Sequence, residues 1–196
     1  MKLERIKFLA QLKTESEADN VPNVTKKNAE FLHFLTRLHK AKLVLEIGTA
    51  NGYSTIWFAD AIEEFDGHVT TIDHSTPSRN WALENFKKVG LEDRITSIFG
   101  RAQEVLPTLD QKFDVIFIDA IKKSYAEFWQ LCKPLMHDNT LIIVDDVLKF
   151  PVKTKSFHEA IANETDYQAV IVPTDEDDGI MLIQKGDNTG FYTNQK

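Results

Sequence analysis

The sequence predicts an α/β fold in which a mainly parallel sheet of seven strands carries helices on both faces. Three observations lead to this prediction. Short apolar runs alternate with segments of helical periodicity along most of the 196 residues. Several of these runs are almost continuously apolar, as in residues 115–118, which is typical of strands covered on both faces. The alternation of strand and helix implies parallel strands joined by right-handed crossovers.

The N-terminal residues predict a helix and not a targeting segment. Leu3, Ile6, Leu9 and Leu12 recur at three-residue spacing with charged residues between them, which is the pattern of an amphipathic helix. A secretory signal has an uninterrupted apolar centre, and a membrane span needs about 20 apolar residues. No apolar run approaches that length. We therefore expect N-terminal helices over residues 1–40 and no membrane partner.

Further strands and helices are predicted between these helices and the C-terminus. The acidic turn at residues 173–179 joins the last two strands. Because strands joined by so short a link form an antiparallel pair, the last strand is expected to run antiparallel to the other strands. Residues 1–196 are expected to form one domain, with a flexible polar tail at residues 186–196. The predicted strands are residues 42–47, 68–73, 94–99, 113–119, 140–145, 168–172 and 180–184, and the predicted helices are residues 53–64, 78–89, 101–109, 124–133 and 152–163.

Charge and cysteine content narrow the classes of function. The formal net charge of −7 argues against electrostatic binding of nucleic acid over a large surface, because such binding depends on positive side chains that neutralise phosphates. Cys132 is the only cysteine, so no internal disulfide can form. A protein whose fold does not depend on disulfides is expected to be cytoplasmic.

The segment at residues 44–54 predicts a ligand-binding loop. An apolar strand runs into a loop with Gly48 and Gly52 four residues apart, and a helix follows. Glycine permits a positive φ and a close approach of ligand to backbone, and in open α/β sheets ligands bind at the carboxyl ends of the strands. The spacing differs from the usual dinucleotide fingerprint. Asp73 ends the second strand, where a carboxylate can accept both hydroxyls of a ribose; taken singly, these signals also fit a plain turn and a helix cap.

Two other predicted strands end in carboxylates, Asp119 on one and Asp145 with Asp146 on the other. If the strands are neighbours, the three side chains converge at the carboxyl edge of the sheet, where they raise each other's pKa. A divalent cation would remove this penalty, and oxygen ligands favour Mg²⁺, Ca²⁺ or Mn²⁺ over zinc. The alternative is that Asp119 and Asp145 are strand-end caps and that Lys122 is a solvated surface lysine.

These motifs resemble those of the class I S-adenosylmethionine-dependent O-methyltransferases, in particular the catechol and caffeoyl-CoA O-methyltransferases and their bacterial relatives. The resemblance is carried by Leu-Glu-Ile-Gly-Thr-x-x-Gly-Tyr-Ser at 45–54, by the stretch at 100–104 and by the carboxylates and lysine at 119–122 and 145–146. It runs from about Val21 to Lys185. It implies a Rossmann-like methyltransferase fold, S-adenosyl-L-methionine as cofactor, and a divalent cation, Mg²⁺ before Ca²⁺ or Mn²⁺.

The resemblance also implies a role for each matching residue. Lys122 would be the catalytic base that takes the proton of the acceptor hydroxyl, and a partly desolvated lysine beside a cation would have a depressed pKa that suits this task. The implied metal ligands are Asp119, Asp145 and Asp146. The implied cofactor-binding residues are Glu46 and Ser54 at the methionine end, Gly48 and Gly52 along the loop, Asp73 at the ribose, His74, Ala102 and Gln103 near the adenine, and Asp119.

At the predicted metal and catalytic site, two residues depart from the pattern of this family. Asp146 stands where Asn is usual, which adds a negative charge to the predicted metal site, and Ile121 replaces a residue that is often Asp or aromatic. We expect the acceptor to be a small catechol-like molecule. A hydroxylated uridine in tRNA and a cofactor-binding protein without catalysis are the alternatives. Relatives commonly form dimers, so the resemblance also implies a homodimer.

Overall fold

The computed structural model describes residues 1–174 and 176–186, which divide into two compact units. Unit 1 is Met1–Val105 and unit 2 is Leu106–Lys196. The predicted fold class is confirmed, because seven strands form a mainly parallel sheet whose last strand is antiparallel. The single domain stays a prediction, and apart from Gly186 the predicted tail lies outside the described residues.

Unit 1 contains three parallel strands in the order β3-β2-β1. The last residues of neighbouring strands are level, with Ile47 opposite Ile72 and Asp73 opposite Phe99, so the loops that follow them meet at one edge. The strands are β1 (Leu43–Ile47), β2 (His68–Asp73) and β3 (Ile95–Phe99), and the helices are α1 (Leu3–Ala18), α2 (Lys26–Leu38), α3 (Tyr53–Ile62), α4 (Thr76–Lys88) and α5 (Ala102–Val105).

Unit 2 contains four strands in the order β4-β5-β7-β6. β4 and β5 are parallel and end level, with Ile118 opposite Val144, whereas β7 is antiparallel to both of its neighbours. The strands are β4 (Phe113–Ile118), β5 (Met136–Val144), β6 (Tyr167–Pro173) and β7 (Gly179–Lys185), and the helices are α6 (Tyr125–Cys132) and α7 (Pro151–Ala162).

Two of the elements predicted after residue 40 differ from their predicted bounds by four residues at one end. The helix predicted at residues 101–109 ends at Val105, because Pro107 lacks the N–H that would continue it. β5 begins at Met136, four residues before its predicted start at residue 140. Thr140 explains the difference, because its hydroxyl accepts the N–H of His137 and donates to the carbonyl of Phe113 on β4. None of the helices in residues 1–174 and 176–186 combines the length and the apolar character that a bilayer crossing needs.

Candidate active site

The glycine loop between β1 and α3 passes through three left-handed backbone conformations. The φ angles are 108° at Gly48, 45° at Ala50 and 86° at Gly52. Gly52 is also tightly packed, since a Cβ there would lie 2.4 Å from Cε1 of Phe86 on α4. Glycine is therefore required at position 52 both for the backbone conformation and for the space.

Asp73, at the end of β2, holds this loop through its carboxylate. Oδ2 accepts hydrogen bonds from the N–H groups of Thr49 at 3.1 Å and Ala50 at 2.9 Å, and Oδ1 accepts one from the N–H of Ser75 at 2.7 Å. A carboxylate oxygen can accept two hydrogen bonds, so the half-buried Oδ1 retains capacity for a ligand hydroxyl. The sequence predicts a ribose contact for Asp73 but does not indicate these contacts with the loop.

Glu46 lies on β1 and is completely buried. Its carboxylate accepts hydrogen bonds from the hydroxyls of Ser54 at 2.6 Å, Thr71 at 2.6 Å and Thr55. Three hydroxyl donors offset the cost of burying this charge. Glu46 and Ser54, both predicted as cofactor ligands, therefore contact each other, and their contact with a methionine group stays a prediction.

Asn51 is a loop residue that sequence analysis missed. It is completely buried. Its Nδ2 donates to Oγ of Ser16 on α1 at 2.5 Å, and its Oδ1 accepts the N–H of Tyr53 at 3.3 Å. Its backbone carbonyl accepts a hydrogen bond from Nδ2 of Asn85 on α4 at 2.9 Å. The loop is thus tied to α1, α3 and α4, and no sequence signal indicates these ties because Ser16 and Asn85 lie 35 and 34 residues away.

Three further predicted cofactor residues, His74, Ala102 and Gln103, follow the ends of β2 and β3. The N–H of Gly100 donates to the carbonyl of Asp73 at 3.0 Å, which brings the two following segments together. His74 is exposed, Ala102 is buried at the start of α5, and Gln103 is partly exposed. The structure therefore gathers these three residues at one edge of unit 1, as the resemblance implies.

In unit 2 the structure brings together Asp119, Asp145 and Asp146. The N–H of Asp145 donates to the carbonyl of Ile118 at 3.1 Å, so the ends of β4 and β5 are joined where the acidic residues begin. One carboxylate oxygen of each of the three residues lies within 4.8 Å of the others. Asp146 has a φ of 55°, a left-handed conformation that Asn and Asp adopt more readily than most residues.

Lys122 lies within this acidic cluster. Its Nζ is 2.6 Å from Oδ1 of Asp119 and 2.7 Å from Oδ2 of Asp146, and the side chain is 13% exposed. Burial alone would lower the pKa of Lys122, but the carboxylates, Asp119 foremost, outweigh burial and raise this pKa above its usual value. The sequence predicts a depressed pKa for Lys122 beside a bound cation. Without a cation, ion pairs with two carboxylates stabilise the charged form of Lys122, and its pKa is raised instead.

The three carboxylates differ in how readily they carry charge. Burial, together with repulsion from Asp119 and Asp146, raises the pKa of Asp145 well above its usual value. Burial also raises the pKa of Asp119, although Lys122 opposes it. At Asp146, burial is outweighed by hydrogen bonds with Asp178 and Lys122, so its pKa is lowered. A crowded set of hard oxygen atoms with this unfavourable charge fits a cation such as Mg²⁺, Ca²⁺ or Mn²⁺.

Asp178 is a fourth carboxylate at this site, which sequence analysis had attributed to the turn before the last strand alone. It is buried, and its Oδ1 accepts hydrogen bonds from the N–H groups of Gly179 at 2.7 Å and Lys149 at 3.4 Å. Burial and a hydrogen bond with Asp146 raise the pKa of Asp178 to about 6. The contact arises because β7, which Asp178 precedes, pairs with β5, and this pairing does not show in the local sequence.

Comparisons with known proteins agree with these features. Residues 3–185 match the family model described as O-methyltransferase. The chain is 36% identical over 131 residues to a catechol O-methyltransferase of Niastella koreensis, an alignment that covers 65% of this chain and 59% of that protein. It is 34% identical over 144 residues to a catechol O-methyltransferase of Mycobacterium tuberculosis, covering 72% and 65%. The aligned part thus spans less than two thirds of the length of these curated relatives.

Solved structures resemble the chain over a larger share of their length. An O-methyltransferase from Bacillus cereus in complex with SAH has a TM-score of 0.84 at 28% identity, covering 92% of this chain and 91% of that one. An O-methyltransferase from Streptomyces achromogenes in complex with SAM, involved in tomaymycin synthesis, has a TM-score of 0.83 at 28% identity, covering 91% and 89%. Both similarities cover more than nine tenths of this chain.

Proposed function

The chain belongs to the O-methyltransferase family, and from this premise we propose that it transfers a methyl group from S-adenosylmethionine to a hydroxyl of a small catechol-like molecule, with the help of a divalent cation. The observation that carries the proposal is the acidic cluster, in which Lys122 lies between Asp119 and Asp146. Methylation of a hydroxyl is promoted by a base that takes its proton and by a nearby positive charge that makes the proton easier to lose. The cluster offers residues for both tasks.

Unit 1 is proposed to hold S-adenosylmethionine, whose sulfonium supplies an activated methyl group when it is bound. Asp73 would accept a ribose hydroxyl at Oδ1, which carries one hydrogen bond in the structure. His74 and Gln103 would lie beside the adenine, since both are accessible at the end of β2 and the start of α5. Support comes from two solved relatives, one in complex with SAH and the other in complex with SAM.

In unit 2, Asp119, Asp145 and Asp146 are proposed to hold the divalent cation, which supplies positive charge that lowers the pKa of the acceptor hydroxyl when it is bound. Neutralising these carboxylates would also remove the charges that hold the proton on Lys122. Burial would then dominate and lower the pKa of Lys122, so that its Nζ could accept the hydroxyl proton as a general base.

Apolar side chains near the acidic cluster favour a small aromatic acceptor over tRNA. Ile121 is 55% exposed beside Lys122 in the sequence, and Leu148 is 40% exposed two residues after Asp146. Exposed apolar surface next to a few polar groups suits a ligand with a hydrocarbon ring and adjacent hydroxyls. The net charge of −7 opposes a polyanion. The cytoplasmic location and the homodimer remain predictions.

The proposal is tested by methyl transfer from S-adenosylmethionine to a panel of catechols, in EDTA and then with Mg²⁺, Mn²⁺ or Ca²⁺. Lys122→Ala should lower turnover about 10²- to 10⁴-fold, the contribution of a general base, while the dissociation constant for SAH stays unchanged. Asp114→Asn is the matched control, because Asp114 also lies on β4 but at the opposite end of the strand, where it pairs with His137 at 2.9 Å.

Each part of the proposal can fail separately. Catechol turnover that is equally fast in EDTA would contradict the role of a cation, and full activity of Lys122→Ala would contradict the base. SAH binding without turnover of any catechol would contradict the small-molecule acceptor. The same enzyme would then be assayed with hydroxyuridine-containing tRNA, and inactivity there too would support a cofactor-binding protein without catalysis.

A further inference from the structure

We infer that the N-terminal helix α1 is a working part of the cofactor site, because Ser16 positions Asn51 and through it the glycine loop. The inference rests on the proposed function only in placing S-adenosylmethionine at the loop of unit 1. It assigns a positioning role to two residues whose contacts link the first helix to the loop.

The hydrogen bonds of Ser16 leave its hydroxyl a single orientation. Ser16 is completely buried. Its Oγ donates to the carbonyl of Leu12 at 2.5 Å and accepts a hydrogen bond from Nδ2 of Asn51 at 2.5 Å. A hydroxyl has one proton to donate, and that proton is committed to Leu12. The lone pairs of Oγ therefore remain for the Asn51 amide.

The side-chain amide of Asn51 is also fixed in one orientation. Its Oδ1 accepts the N–H of Tyr53 at 3.3 Å, at the first residue of α3. If the oxygen and nitrogen of the amide were exchanged, its NH2 group would face the N–H of Tyr53, and Oγ of Ser16 would lose the hydrogen bond that it accepts from Asn51. Ser16 and Tyr53 thus select one rotamer of Asn51 between them.

This rotamer matters because Asn51 lies between two residues with positive φ. Ala50 has a φ of 45° and Gly52 has a φ of 86°, and the left-handed conformation is unfavourable for alanine, so it persists where the surroundings hold it. The N–H of Ala50 donates to Asp73, the residue proposed to bind the ribose. A looser Asn51 would let Ala50 relax, and the hydrogen bonds of Asp73 would change with it.

The helix that carries Ser16 is anchored to α3 by buried charges. Arg5, near the start of α1, is 4% exposed. Its Nη1 lies 2.8 Å from Oδ1 of Asp60 on α3 and 2.7 Å from Oε2 of Glu63 directly after that helix. Ser16 therefore reaches the loop from a helix fixed at its other end. Docking of α1 and cofactor binding should be linked, and such linkage is reciprocal.

The decisive comparison is between Ser16→Ala and Thr36→Val. Thr36 is completely buried on α2, and its hydroxyl donates to the carbonyl of Leu32 four residues earlier at 2.7 Å, as Ser16 does on α1. Both variants lose a buried hydroxyl with an intrahelical hydrogen bond, but only Ser16 accepts a hydrogen bond from the loop. Ser16→Ala should weaken SAH binding by about five- to tenfold, as expected when a buried donor loses its partner, whereas Thr36→Val should stay within about twofold of the wild type.

The measurement is calorimetric titration of SAH into each folded variant, with KM for S-adenosylmethionine and kcat as a second readout. Ser16→Ala should raise KM with little change in kcat, because positioning of the loop affects cofactor binding and not the acceptor. Equal SAH affinity of Ser16→Ala and wild type, or equal losses in Ser16→Ala and Thr36→Val, would overturn the inference.

A measurement on the wild type keeps the inference testable even if Ser16→Ala does not fold. Saturating SAH should slow amide hydrogen exchange in residues 12–18 of α1, and unchanged exchange there with slowed exchange in the loop would overturn the link. Asp73→Ala separates this failure from that of the proposed function. If Asp73→Ala binds SAH as the wild type does, the cofactor does not bind at this loop; if it loses SAH and Ser16→Ala does not, only the role of α1 is wrong.

Discussion

Replacement of Gly52 by alanine should lower the free energy of unfolding by roughly 1–5 kcal/mol. The new Cβ would lie 2.4 Å from Cε1 and 3.0 Å from Cζ of Phe86, and overpacking of this kind costs about 1–3 kcal/mol. The φ of 86° adds roughly 1–2 kcal/mol for a residue with a side chain. The smaller conformational freedom of alanine in the unfolded chain offsets about 0.4–1 kcal/mol.

Gly90→Ala separates the two costs, because Gly90 has a φ of 63° and a Cβ there would meet no described atom within 4 Å. Gly90→Ala should lower the free energy of unfolding by only about 0–2 kcal/mol, the backbone cost less the effect on the unfolded chain. Urea unfolding of both variants measures the difference, which should be about 1–3 kcal/mol. Shortening Phe86 to leucine should recover part of the loss in Gly52→Ala. Equal stability of the two glycine variants would refute the packing contribution.

Two further changes test the buried charges. Arg5→Met should lower the free energy of unfolding at pH 7 by about 3–5 kcal/mol, because it leaves buried carboxylates without their partner. Burial raises the pKa of Asp60, but hydrogen bonds with His33 and Arg5 outweigh it and lower this pKa. The stabilisation by these ion pairs is therefore complete above about pH 4 and is lost as the pH falls through the lower pKa of Asp60 in the folded protein. The difference in free energy of unfolding between variant and wild type, measured in urea, should narrow over that pH range. A constant difference down to about pH 2 would contradict this. At Asp145, burial and neighbouring carboxylates raise the pKa, so charging it costs stability as the pH rises through that pKa. In EDTA at neutral pH, Asp145→Asn should be at least as stable as the wild type. Addition of Mg²⁺ should raise the Tm of the wild type but not that of the variant. A lower Tm of the variant in EDTA would contradict the idea that the charge of Asp145 is destabilising.

Much of the fold follows from local sequence patterns. β2 begins and ends at the predicted residues, because an apolar run bounded by turn residues reflects burial along the strand itself. The convergence of Asp119, Asp145 and Asp146 could also be predicted, since parallel neighbouring strands end at the same edge of a sheet. Only the assumption that β4 and β5 are neighbours was needed, and the structure meets it.

The parts that could not be predicted depend on side chains that are distant in the sequence. Nothing near Asn51 indicates that Ser16 accepts its hydrogen bond, because that contact depends on how α1 packs. Asp178 looked like a turn residue, yet the pairing of β7 with β5 places it against Asp146. The raised pKa of Lys122 likewise depends on distances of less than 3 Å to two carboxylates, which spacing along the chain does not specify.

The lysine between two carboxylates also sets a concentration threshold for any cation that binds there. The ammonium of Lys122 is attached to the chain, so its effective concentration at Asp119 and Asp146 does not fall on dilution. A free cation must therefore compete with an ammonium group that cannot diffuse away. The cation concentration needed to displace this group is set by the structure of the site and does not depend on the protein concentration. The same attachment keeps the acidic residues assembled when cations are scarce, so only the side chain of Lys122 would have to move when a cation binds.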